Sequence, residues 1–101
     1  MTESELISIG EFARRAGLTA SALRFYDDAG LLRPEQVDPS TGYRFYSEPQ
    51  LARAVRLRQL RAIGMPLSVI DTFFAASAED AARLIDDQVA KAAAEASDVQ
   101  H

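Results

Sequence analysis

The chain has 101 residues, 48% of them apolar, enough for one domain or one domain with an appendage. It has no cysteine and one histidine, His101, which excludes disulfides and thiolate-rich zinc sites and leaves almost no nitrogen ligand or imidazole base. The net charge of -4 is unevenly placed: the nine arginines from Arg14 to Arg61 meet only five acids, whereas residues 71–101 hold two cations against seven acids. A weakly basic head therefore precedes an acidic tail, and only the head suits a polyanion.

The opening MTESELISIG has neither a basic start nor an apolar run of signal length, and no segment is apolar enough to span a bilayer. A cytoplasmic protein is expected. Ser8-Ile-Gly-Glu11 reads as a capping box, the serine accepting from an early backbone N–H while the glutamate reaches back. A helix follows with Ile9, Phe12, Ala13 and Ala16 on one face, stopped at Gly17. Thr19 then caps a second helix, Ala20 to about Asp28, ended by Gly30; two short helices joined by a glycine turn make a helix-turn-helix candidate.

At about 100° per residue, the second helix places Ala20, Ser21, Arg24, Phe25 and Asp28 on one side and Ala22, Leu23 and Tyr26 on the other. Small side chains at the leading end permit close approach to a duplex, and a guanidinium can bind two acceptors on guanine or a phosphate. Tyr26, turned inward, can extend its hydroxyl toward phosphate from the helix edge, and the helix N-terminal N–H groups favour the same anion. Asp27 and Asp28 would repel DNA, but stand at the far end of the helix.

From Leu31 the pattern becomes extended. Val37 leads through the turn formers DPSTG into YRFY, a β-hairpin on which Tyr43 and Phe45 share one face and Arg44 and Tyr46 the other. An arginine on a projecting hairpin is placed to grip phosphate or the minor groove, a contact that sets register and does not read sequence. Ser47-Glu-Pro-Gln50 reads as another capping box, opening a third helix from about Glu48 to Ile63 before Gly64. Arg53, Arg56, Arg58 and Arg61 form no single stripe on it. Most are expected to be solvated or paired with acids, with Arg61 near enough to the helix end to reach a flanking phosphate.

Pro66 starts a short fourth helix carrying Leu67, Ile70, Phe73 and Phe74. Ser77-Ala-Glu-Asp80 caps a fifth, along which Ala78, Ala82, Ile85, Val89, Ala92, Ala96 and Val99 step by 4, 3, 4, 3, 4 and 3 residues. That is a heptad seam, and its small residues would let two helices approach closely, although it could also pack on its own domain.

In order, ISIGEFARRAGLTASALRFYDDAGLLRP and GYRFYSEPQLARAVRLRQLRAIGMPLSVI closely resemble the DNA-binding domain of MerR-family transcription regulators, from residue 7 to about residue 74. The resemblance implies a mainly α fold: a winged helix-turn-helix with a small β-hairpin wing, a helical pair, and a C-terminal dimerisation helix that pairs as an antiparallel coiled coil. It implies a winged helix-turn-helix domain over residues 1–75 and a dimerisation helix over 76–101, with no effector domain in these residues. Its candidate DNA contacts are Thr19, Ser21, Arg24, Phe25, Tyr26 and Arg33, with Tyr43 and Arg44 on the wing and Arg61 near a second, smaller wing. Phe25 stands where the family commonly has tyrosine. The metal-sensing members carry cysteines near the dimerisation helix, and this chain has none.

The function expected from the resemblance is sequence-specific regulation of transcription: a homodimer on a pseudo-palindromic promoter site, distorting the DNA to control RNA polymerase. No catalysis, cofactor, metal or membrane is implied, and a small-molecule effector only if the natural chain is longer. Two other readings stay open at this level. One is a small architectural or excisionase-like DNA-bending protein, against which the long seam speaks. The other is a dimeric protein-interaction adaptor, which leaves the arginine-rich head unexplained.

Overall fold

The computed structural model describes residues 5–99, with side chains described to Glu95. In chain order the elements are β1 (Leu6–Ser8), α1 (Ile9–Ala16), α2 (Ala20–Asp28), β2 (Gln36–Val37), β3 (Arg44–Ser47), α3 (Gln50–Ala62), α4 (Leu67–Ala75) and α5 (Ala78–Val99). The expected mainly helical architecture with a small wing is present. Two compact units divide at Arg58/Gln59, within α3, whereas the functional division expected from the sequence fell at 75/76.

In the first unit, Ser8 caps α1 by accepting from the Glu11 N–H at 3.4 Å. The reciprocal half of the expected capping box is absent: the Glu11 carboxylate turns instead to Arg14, 3.1 and 2.5 Å from its guanidinium nitrogens. An acid three residues ahead of an arginine finds a full charge within reach, and that outcompetes a backbone N–H. Gly17 ends α1 at φ 76°, where a side chain is strained, and the Leu18 N–H closes on the Ala13 carbonyl at 2.9 Å. Thr19 caps α2 by accepting from the Ala22 N–H at 3.0 Å.

The wing is larger than a hairpin. β1 pairs antiparallel with β3, Ile7 opposite Tyr46, and β2 pairs with β3 on the other edge, Val37 opposite Arg44, giving the order β1-β3-β2. The three residues of β1 are too few to show a period of two, and Ser8 reads from sequence as a helix cap. β3 is thus the central strand. Its Tyr46 is fully buried and stacks on Phe12 of α1, ring centroids 4.5 Å apart at 17°. Leu23 and Tyr26 from α2, Leu31 and Leu32, and Ala54 and Leu57 from α3 complete this core.

α3 starts at Gln50, two residues later than expected from the sequence. Its capping runs through Gln50, whose Oε1 accepts from the Ser47 N–H at 2.9 Å, while the Ser47 hydroxyl points to Glu35 and Gln50 carboxylate and amide oxygens. The four arginines of α3 are exposed, as expected, and three of them also reach backbone carbonyls. Arg53 Nε donates to the Leu31 carbonyl at 2.9 Å, Arg58 Nε to that of Ala16 at 3.0 Å and Arg61 Nη1 to that of Met65 at 2.9 Å. They tie off carbonyls that glycine turns and helix ends leave without partners.

In the second unit α4 packs on α5, with Met65 and Ile70 fully buried. Ser77 caps α5 by accepting from the Asp80 N–H at 3.2 Å. Gln88, only 8% exposed, donates to the Ile63 carbonyl at 2.9 Å and so satisfies the end of α3 from within the unit. Among the described residues no helix is long and apolar enough to cross a membrane.

Candidate nucleic-acid interface

The division of α2 into two faces is the one its sequence implies. Leu23 is fully buried and Tyr26 is 8% exposed, whereas Ser21, Arg24 and Phe25 face outward, Phe25 at 52%. Thr19 spends its hydroxyl oxygen on the Ala22 N–H but keeps its own O–H free to donate. Arg24, unlike Arg53, Arg58 and Arg61, has no ion-pair or hydrogen-bond partner among the described residues. The structure gives Tyr26 a packing role, its ring edge-on to Phe25 at 5.6 Å and 62°, so little of it remains to meet a phosphate.

Between α2, the wing and the start of α1 lies a crevice of about 180 Å³, lined by Ser8, Ile9, Arg24, Gly42, Tyr43, Arg44 and Phe45. Its rim carries Tyr43, 67% exposed, beside the turn that Asp38 organises by accepting from the Ser40 N–H at 2.8 Å. Helix, wing and the α1 N-terminus therefore converge on one concave strip. The strip has an apolar floor and cationic and hydroxyl-bearing edges, which suits a sugar–phosphate chain.

Arg44 departs from the expectation of a free projecting arginine. Its Nε donates to Asp27 Oδ2 at 2.8 Å, and the two side chains are 26% and 16% exposed. The hydrogen bond to Asp27 raises the affinity of the guanidinium for its proton further above the usual range. Asp27, expected only to repel DNA, is thus neutralised by the wing. The two residues are 17 positions apart on different elements, so no local spacing could have revealed the pair.

Arg33 is exposed and its guanidinium folds back over Gly30, with Nη2 3.3 Å from where a Cβ on that glycine would stand. Arg61 belongs to the second unit, and its bond to Met65 shapes the turn after α3. Along α5, Ala78 and Ala82 are exposed, Ile85 and Ala92 are half-buried, and Val89 is 52% exposed. The side chains of Ala96 and Val99 lie outside the described residues. Beside this seam, Ala81 and Leu84 are half-buried and Gln88 is buried.

Residues 7–77 match the model of a family described as MerR HTH family regulatory protein. The chain is similar to the multidrug-efflux transporter 1 regulator of Bacillus subtilis, 43% identical over 60 residues that cover 59% of this chain and 22% of that protein. Among solved structures, it resembles a MerR-family transcriptional regulator from Bacillus cereus, with a TM-score of 0.79 and 25% identity over 95% of this chain and 73% of that one. It also resembles EcmrR in a cryo-EM structure of the EcmrR–DNA complex in EcmrR-RPo, with a TM-score of 0.75 and 28% identity over 91% of this chain and 34% of that one. The chain spans between 22% and 44% of the length of several curated relatives it matches.

Proposed function

Because this chain belongs to the MerR HTH family, we propose that it binds promoter DNA sequence-specifically as a homodimer and controls transcription by distorting the duplex for RNA polymerase. The observation that carries the reading is the outward Arg24 on a helix whose opposite face is sealed in the core, set across a crevice from the exposed Tyr43 of the wing. A helix so presented enters the major groove, and the wing follows the backbone beside it.

In this reading Ser21 and Arg24 meet base edges, while Thr19, Tyr43 and the N-terminal N–H groups of α2 meet phosphate. Phe25 supplies apolar contact in place of a hydroxyl. Arg33 and Arg61 stand as flanking phosphate contacts, Arg61 first releasing the Met65 carbonyl. The functional division is a DNA-binding part over 1–75 and a pairing helix over 76–101.

Pairing uses the α5 seam, which in a single chain leaves Val89 half in water. An antiparallel partner covers it and sets two recognition helices about a twofold axis, which is why the site is palindromic. Bending the duplex draws on backbone grip more than on base contacts, and the wings supply it. The relatives that match are regulators, and the chemistry of the described residues serves binding.

An electrophoretic mobility shift on the DNA upstream of the chain's own coding sequence, at two salt concentrations, tests this. A shift that survives excess random competitor supports a regulator. A shift abolished by random competitor points to an architectural protein, and no shift on any duplex to an adaptor.

A further inference from the structure

Four ion pairs are found among the described residues. In three of them, Glu11–Arg14, Arg15–Glu48 and Asp80–Arg83, at least one partner has most of its side chain in water, with exposures of 72% and 45%, 35% and 64%, and 70% and 57%. Arg44–Asp27 is the enclosed one, at 26% and 16%. It also joins the two elements that approach DNA: Asp27 sits in the last turn of α2, and Arg44 opens the central strand of the wing.

A carboxylate on the recognition helix is an electrostatic liability next to phosphate, and on charge alone its removal should tighten binding to every duplex. The geometry points to the opposite: we propose that Asp27 is a positioning residue for DNA binding, holding the Arg44 guanidinium and the wing strand at a fixed angle to the recognition helix. The inference rests on the DNA-binding reading above and adds a role to a residue that touches no DNA.

The argument from the atoms is short. A guanidinium has five N–H donors in a rigid fork, and Asp27 engages the one on Nε. Anchored there, the plane of the group is set, while its terminal nitrogens carry no hydrogen bond among the described residues and the residue lines the crevice shared with Arg24 and Tyr43. Behind Arg44, Tyr46 lies on the same face of β3 and is fully buried against Phe12, so the strand itself does not yield. The wing is thereby braced at two depths, by the aromatic stack inside and by the ion pair outside. Without Asp27 the arginine regains its rotamers, and ordering it on the duplex opposes binding.

The test uses the full chain and the duplex it recovers from a random-sequence pool. Asp27→Asn, Arg44→Met and the double variant are titrated with that duplex and with random DNA over a salt series, each checked for folding by thermal unfolding. Asp27→Asn should bind the recovered duplex roughly tenfold more weakly than wild type despite losing a negative charge. In the Arg44→Met background the same change should cost nothing further, because Asp27 acts through Arg44. A loss of equal size in that background would mean a general structural role and overturn the proposal, as would equal or tighter binding by Asp27→Asn. Should Asp27→Asn not fold, Arg44→Lys decides: it keeps the charge but loses the Nε donor, so it should bind more weakly, and unchanged affinity overturns the proposal. Wild type failing to recover any duplex would defeat the functional reading itself, a result distinct from all of these.

Discussion

The Nε of Arg58 in α3 donates to the carbonyl of Ala16, the last residue of α1, at 3.0 Å. That carbonyl sits at the negative end of the helix, so the bond is charge-assisted and adds to the glycine stop beside it. A Cβ on Gly17 would come within 3.1 Å of the same nitrogen, at a φ of 76°. Arg58→Met should lower stability by about 1–2 kcal/mol, and Gly17→Ala by about 1–2 kcal/mol. Because both strike one contact, the double variant should lose less than the sum in urea unfolding. Full additivity would show that the contact is not shared.

Tyr46 provides a second prediction. Its hydroxyl is buried and without a partner, so the ring stabilises the fold while the oxygen opposes it. Tyr46→Phe should keep the stack on Phe12 and gain about 1 kcal/mol. Burial, and then the nearby Asp27, push the Tyr46 pKa above its ordinary value of 10.0. The folded chain therefore holds this proton after the unfolded chain has released it. The resulting contribution to stability is intact below about pH 10 and lost as pH rises through the folded value. Wild type should lose stability above that pH more steeply than Tyr46→Phe; identical alkaline limbs would contradict the assignment.

Arg24→Ala should weaken binding to the recovered duplex by about 1–3 kcal/mol and relax preference at one base pair in each half-site. Random DNA should be much less affected. Selection from randomised half-sites checks this, and an equal loss on specific and random duplexes would reduce Arg24 to a phosphate contact.

Val89→Asp places a charge in the middle of the α5 seam, where pairing would bury it. Sedimentation equilibrium should give the mass of one chain for the variant and of two for wild type, with operator affinity falling alongside. A variant of unchanged dimeric mass would remove the seam from the assembly.

The sequence carried most of the helical frame, because caps and glycine stops are local chemistry: Ser8, Thr19 and Ser77 each accept the N–H expected of them. The outward face of α2 was legible for the same reason, since a helix has one period and Leu23 and Tyr26 declared its inner side. What escaped was non-local. β1 exists only because Ile7 finds Tyr46 across 39 residues, and three residues show no alternation of their own. The partner of Arg44 lies on another element, and the carbonyl bonds of Arg53, Arg58 and Arg61, all three as exposed as expected, leave no mark in a charge pattern. Glu11 shows the limit of a motif: the capping box was half formed once Arg14 competed for the acid.

Hydroxyl-radical footprinting of the full chain on the duplex it recovers tests the central claim most directly. Two recognition helices about a twofold axis should protect two symmetric patches, centred about one helical turn (10–10.5 base pairs) or a multiple of it apart, with protection extending outward where the wings lie. A single unsymmetrical patch, or uniform protection that follows no sequence, would contradict it.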